Sequence, residues 1–245
     1  MLYRHVISSQ FRQFRVILCG NDKGSFMRHR FAVFIATMAL GMTLATPAYV
    51  HPHVFAEARL DISIRPDGTV EKLGHVWRFD DLFSSTVLVE FDKNGDLKLD
   101  EAELAGLAET INASISEFDY FQSVELNGKK IAMAAPTRLM ADFQNNQLLI
   151  IFESTPKHPL KLGAKTSFGV YDPTFYTAID YVNDKDVHVT GLPPTCKQKV
   201  VRPNPDEAIA QNQGTLTDAF FNDPTGTDMS KIFATRLEIE CPSQG

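Results

Sequence analysis

The sequence predicts an α+β fold: a mainly antiparallel, sandwich-like β domain with one helix-loop-helix inserted after its first hairpin. Three observations point there. Val54–Ile64 alternates strictly, with Ala56, Ala58, Leu60, Ile62 and Ile64 on one side and Glu57, Arg59, Asp61 and Ser63 on the other, as a half-buried strand does. Tight-turn residues recur between apolar runs, as in Leu126-Asn127-Gly128-Lys129 and Gln144-Asn145-Asn146. A charged stretch, "FDKNGDLKLDEAEL", separates two segments that read as helices. With 44% hydrophobic and 22% charged residues the composition is that of an ordinary globular chain.

The elements follow in order. The first 26 residues fit no export scheme, and Met27 is an alternative start. Met27-Arg28-His29-Arg30, the apolar residues 31–44 and the small-residue exit Thr46-Pro47-Ala48 read as a secretory signal peptide cut after Ala48. The apolar run to Val50 is also long enough for an uncleaved membrane anchor. Either way, residues 49–245 are expected outside the cytoplasmic membrane as a single β-rich domain. Pro66-Asp67-Gly68 turns the first strand into a second, on which Leu73, His75, Trp77 and Phe79 share the apolar side. A helical pair occupies about 80–118, as segments 80–91 and 100–118 around the charged loop. "LLIIF", "TSFGVYD", "FYTAIDYV" and "VHVTGL" continue as strands, and residues 203–230 read as a long flexible surface loop. "IFATRLEIEC" is the last strand.

Charge excludes some partners. Without its first 48 residues the chain holds 18 basic against 29 acidic residues, a formal net charge of −11. Such a surface repels nucleic acid and anionic lipid and suits cations. The two cysteines of that part, Cys196 and Cys241, read first as a disulfide in an oxidising compartment. Closing their loop contributes roughly 4 kcal/mol in the chain-entropy picture. A thiolate metal site is the competing reading, disfavoured by the lack of a CxxC pair.

The charged loop resembles an EF-hand. Calcium takes six to eight oxygens from positions 1, 3, 5, 7, 9 and 12 of a twelve-residue loop. Those positions are Asp92, Asn94, Asp96, Lys98 through its carbonyl, Asp100 and Glu103. Position six requires φ > 0 and usually holds Gly, whereas Leu97 stands here, at a cost of about 1 kcal/mol. The competing reading is an acidic helix-turn-helix without an ion, its Asp100 merely capping the second helix.

Two histidines flank a proline just after the proposed cleavage point. In an extended segment His51 and His53 point to the same side, away from the apolar face, and two imidazoles make half of a zinc, nickel or copper site; the competing reading, favoured by spacing alone, is two polar residues on a frayed strand end. Cleavage after Ala48 would also leave His51 third from the new amine, an arrangement suited to Cu(II) or Ni(II). His75 shares the side of Trp77 and Phe79, which predicts a core histidine bonded to a carbonyl, opposite Leu60 across the hairpin. His158 and His188 are expected on the surface, His188 on a hairpin strand. In "YDPTFYTAID" the bland reading is an aromatic-packed corner; the functional one places Asp172 beside His51 and His53 as an oxygen ligand.

Several stretches together, "HPHVFAEARL", "VWRFDDLFSS", "DKNGDLKLDEAEL", "YDPTFYTAID" and "PTCKQKVV", resemble a bacterial periplasmic family of unknown function often described as an ABC-type transport periplasmic component. The resemblance covers roughly residues 51–241. It implies association with nickel/cobalt-type inner-membrane permeases or zinc uptake, and makes His51 and His53 the prime ligands; His75 and Asp172 are further candidates from the residues themselves, and the resemblance assigns no role to Asp172. Asp80, Asp81 and Tyr176 also fall in the shared stretches.

Three functions compete on these residues. The first is a non-catalytic periplasmic protein that captures zinc, nickel or cobalt and delivers it to an inner-membrane metal permease. The second is a calcium-braced interaction domain docking on a membrane transporter. The third, a zinc-dependent hydrolase, finds no GxSxG, HExxH or phosphate loop in the chain.

Overall fold

The structure is a computed structural model and describes residues 53–214 and 229–242. The N-terminal extension, the signal peptide and His51 lie outside the described residues. The elements are β1 (Val54–Ile64), β2 (Thr69–Phe79), α1 (Asp81–Phe91), α2 (Glu101–Ser116), β3 (Gln122–Leu126), β4 (Lys129–Lys130), β5 (Leu139–Gln144) and β6 (Gln147–Ser154). They continue with β7 (Leu160–Lys161), β8 (Thr166–Val170), β9 (Thr177–Asp180), β10 (Val187–Thr190), β11 (Lys197–Val201), α3 (Pro205–Gln211) and β12 (Arg236–Glu240). The fold class is the expected one, α+β with two mainly antiparallel sheets.

The first sheet runs β10-β1-β2-β6-β5, with β7 on β2 and β9 on β1; the second runs β11-β12-β8-β3-β4. β1 and β2 pair antiparallel, and Leu60 lies opposite His75 as the alternation requires. The bulge between Ser63 and Ile64 falls beyond that pair, at the turn end. Both Asn turns close two-residue hairpins: Asn127 and Gly128 take φ of 51° and 76°, and Asn145 and Asn146 take 54° and 63°. β9 and β10 depart from hairpin logic, because both pair parallel to β1. His188 therefore stands on a parallel edge strand, with Nδ1 3.8 Å from Asp61, and not on a hairpin.

Leu60, Ile62, Leu73, Trp77, Ile150 and Phe152 of the first sheet join Val124, Phe168, Leu237 and Ile239 of the second in one buried cluster. At roughly 2 kcal/mol per buried large side chain, this face is the main stabilising term. Trp77 stacks on Phe121 across the layers at 6.0 Å. Phe121 is carried there by a left-handed turn, Asp119–Phe121, with φ of 51°, 56° and 57° on three non-glycine residues. Each costs about 1–2 kcal/mol, which burial of Tyr120 and Phe121 offsets.

The helices cover one side of the first sheet. Asp80 caps α1 by accepting the Phe83 N–H, and Ser84 Oγ accepts the Leu148 N–H of β6. Asp100 caps α2 with Glu103 in a reciprocal capping box, and Leu107, Ala108 and Ile115 face inward.

The C-terminal third corrects two expectations. Residues 203–230 are not one continuous loop, because Asn204 caps the helix α3 with Pro205 at its first position. Met229–Phe233 forms a 3₁₀ turn, and the last strand begins only at Arg236, which explains the poor alternation before it. Cys196 and Cys241 are joined as a disulfide, closing a sequence separation of 45 residues beside the β11–β12 pair. Replacing both by Ala is expected to lower unfolding free energy by about 4 kcal/mol. Urea denaturation of the double variant against the oxidised protein reads that loss.

Candidate metal site

β1 begins where three other elements meet. The Tyr176 carbonyl accepts the N–H groups of both His53 (2.9 Å) and Val54 (3.2 Å), just before β9 pairs with β1. The His53 and Tyr176 rings lie 5.2 Å apart and tilted by 39°. On the other side Phe55 is held by Asp80, whose Oδ2 accepts the Phe55 N–H at 2.8 Å and whose own N–H donates to the Phe55 carbonyl. One carboxylate thus caps α1 and clamps the strand that carries the histidine. His53 is exposed.

The neighbouring loop is built around Asp172. Its Oδ1 accepts the Thr174 N–H (2.8 Å) and hydroxyl (2.7 Å), and its Oδ2 accepts the Thr177 N–H at 2.9 Å. Those three bonds fold the chain tightly enough that Phe175 takes φ of 59°. Asp172 is buried, and its first service is to hold Tyr176 against His53. Burial pushes the Tyr176 phenol above its ordinary value, which keeps it neutral.

His75 does not belong to this group. It pairs with Leu60, seven residues along β1 from His53, or roughly 24 Å at about 3.4 Å per residue. The two cannot share an ion. His75 lies fully between the sheets, stacked on Phe152 at 4.5 Å, with Gln122 and Ser154 forming a hydrogen-bonded pair beside it. The expected carbonyl bond is not formed, because neither ring nitrogen has a hydrogen-bond partner among the described residues. β-sheet pairing occupies the nearby carbonyls, and stacking on Phe152 sets the ring plane instead. Burial holds the imidazole down at about 4, against a smaller pull from Gln122.

The acidic loop between α1 and α2 closes on itself. Asp92 Oδ1 accepts the N–H groups of Gly95 and Asp96, and its Oδ2 accepts that of Leu97 at 2.8 Å. Asn94 and Asp96 accept from Asp96 and Lys98, and the buried Glu103 accepts from Lys93 and Asp100. Leu97 takes φ of 62°, the conformation that position six demands, with its side chain in solvent. The donor set is all oxygen and fits a hard cation such as calcium. Among the described residues, no three His, Cys, Asp or Glu side chains converge on one point, in this loop or elsewhere.

Sequence reasoning missed Asp80 and the Tyr176 carbonyl as the clamps of His53. "FDD" ahead of a helix signals the cap, but nothing local signals the second bond, which depends on the parallel β1–β9 pairing. The open groove of about 540 Å³ between α2 and β5 has no histidine in its lining.

The model of the DUF1007 family, described as a protein of unknown function, matches residues 36–241. A Haemophilus influenzae protein named only as uncharacterized is 27% identical over 211 residues, 84% of this chain and 98% of the relative. An uncharacterized 15.5 kDa protein in the trpE 3′ region of Spirochaeta aurantia is 31% identical over 93 residues, 37% of this chain and 65% of the relative.

Two outcomes are expected. The unfolded imidazole titrates near 6.5 and the buried one at about 4, so the unfolded state binds the extra proton between those values. The contribution of His75 to stability is therefore complete above pH 6.5 and falls away as pH drops, by about 2 kcal/mol at pH 4.5. Urea midpoints at pH 7 and pH 4.5 should differ less in His75→Phe than in the parent, by that amount. In the acidic loop, Leu97→Gly relieves the left-handed strain and is expected to raise stability by about 0.5–1 kcal/mol, read by thermal unfolding in chelator.

Proposed function

The chain belongs to the DUF1007 family, and we propose that it is a non-catalytic metal-binding carrier. In this reading it captures zinc, nickel or cobalt in the periplasm and hands the ion to an inner-membrane metal permease. The observation that carries the reading is the double clamp on β1, Tyr176 on one side and Asp80 on the other, which holds exposed His53 beside the Asp172 loop. His51 stands two residues earlier in the sequence, and in this reading the two imidazoles act together with the Asp172 carboxylate. Neutral imidazole is a good ligand for all three ions, and the acidic surface concentrates cations. A set of two or three ligands at a strand end, open to solvent, binds without enclosing its ion, which suits transfer. The metal is cargo, and the residues serve to hold and release it. His75 takes no part.

Calorimetry on processed, chelator-stripped protein tests this directly. One saturable site for at least one of the three ions is expected, weakened at least tenfold in His51→Ala/His53→Ala and unchanged in His188→Ala. Equal binding in the double variant would remove the reading.

A second reading keeps the acidic loop as a calcium brace for an interaction surface. It is favoured by Leu97, which takes the left-handed conformation that position six of an EF-hand-like loop demands. Asp92, Asn94, Asp96, the Lys98 carbonyl, Asp100 and Glu103 would hold that ion.

A further inference from the structure

The outer face of the second sheet concentrates positive charge in an acidic protein. Residues paired across four strands form one row, Lys199–Glu238–Ser167–Glu125, followed by Arg236–Gly169–Ser123 in the next. Over these rows the 3₁₀ turn itself folds back, bringing Lys231 and Ile232 to a cavity of about 350 Å³ that Lys165 and Arg236 also line.

The arrangement of its charges is uneven in depth. Glu238 is buried, its side chain 3% exposed, and is bonded by Lys165 (3.0 Å), Arg236 (2.9 Å) and Lys199 (3.3 Å). Burial raises its pKa, but those three bonds outweigh it and hold the carboxyl ionised below its ordinary value. Lys231 pairs with Glu125, and Lys199 also lies 3.9 Å from Glu240. The cations nevertheless outnumber the carboxylates. Their side chains are open, at 52% exposure for Lys165, 60% for Lys199 and 39% for Lys231. The cavity wall sets Lys165, Lys231 and Arg236 against the carboxylates of Glu125 and Glu238, a surplus of one positive charge, and the ammonium groups of the two lysines stand further into solvent than either carboxylate. Ser123 and Ser167 supply hydroxyls on the floor, and Gly169 leaves it bare, since a Cβ there would come within 3.3 Å of Arg236 and the Thr235 carbonyl.

We propose that this cavity on the outer face of the second sheet is a binding site for a small anion bearing phosphate or carboxylate oxygens, held by Lys165, Lys231 and Arg236. The buried Glu238 positions the cations, so little side-chain freedom is lost when the anion arrives. Arg236 directs Nε and Nη2 at Glu238 Oε1, so its contribution to an oxyanion comes from Nη1, and the lysines add charge without fixed geometry. The site lies on the other sheet from His53 and does not depend on the metal-carrier reading.

Calorimetry on the chelator-stripped protein at low ionic strength, with inorganic phosphate and separately with citrate, tests it. One saturable site for at least one of the two anions is expected, weakened at least tenfold in both Lys231→Gln and Lys165→Gln. Lys72→Gln, on the other sheet, should bind as the parent does. Circular dichroism confirms that each variant is folded; both altered lysines are substantially exposed, and Glu238 keeps two partners in Lys165→Gln and all three in Lys231→Gln. No heat with either anion would overturn the proposal, as would equal weakening in Lys72→Gln, which marks a diffuse charge effect. Sedimentation with phosphatidylglycerol vesicles in the absence of small-anion binding would assign the charge to a lipid surface and equally overturn it.

Discussion

The register of β1 is the constraint on which the rest of the molecule depends. The strand is hydrogen-bonded on both flanks, to β2 along its length and to β9 and β10 on the other side. Its inner residues are sealed, with Leu60 and Ile62 fully buried. A slip by one residue would drive Glu57, Arg59 and Asp61 into that interior and expose the apolar set. Desolvating even one of those charges costs several kcal/mol, far more than any loop strain in the structure. With the register fixed, the position of His53 at the strand's start is fixed too. So are the places where Tyr176 and Asp80 reach it.

The interior tolerates polar and strained groups only where packing repays them. The left-handed Asp119–Phe121 turn puts two aromatic rings into the core, and the stack of Trp77 on Phe121 joins the layers. Gln122 follows the turn directly and bonds Ser154 of the opposite sheet. His75 beside them is neutral at physiological pH, since burial disfavours its charged form. This polar cluster ties one sheet to the other, and its chemistry is that of an internal brace rather than of a ligand site.

Charge is sorted by location as well. The proposed metal-binding end carries His53 with Asp172, Asp80 and Asp81 among its neighbours in an acidic protein, an environment that favours cations. The outer face of the second sheet gathers Lys165, Lys199, Lys231 and Arg236 around a buried carboxylate. Each surface attracts what the other repels. The two proposed sites stand on different sheets, a separation that keeps either from neutralising the field of the other.

The sequence by itself determined the local structure. Alternation in β1 and β2, the Asn turns, the Asp100 cap and the cysteine pair are all short-range signals, and each was legible because a few neighbouring residues decide it. The same holds for Leu97 at the loop position that demands a positive φ. Tertiary structure alone decided which side chains meet. Parallel pairing of β9 and β10 with β1 depends on long crossovers that leave no local mark, so no short stretch of residues encodes the approach of Tyr176 and the Asp172 loop to His53. His75 illustrates the limit most clearly. Its parity placed it correctly in the core, but the distance that separates it from His53 is a property of strand length and register. The cationic cavity was hidden for a related reason: its residues are dispersed from Ser123 to Glu238, and only lateral pairing across the second sheet brings them side by side.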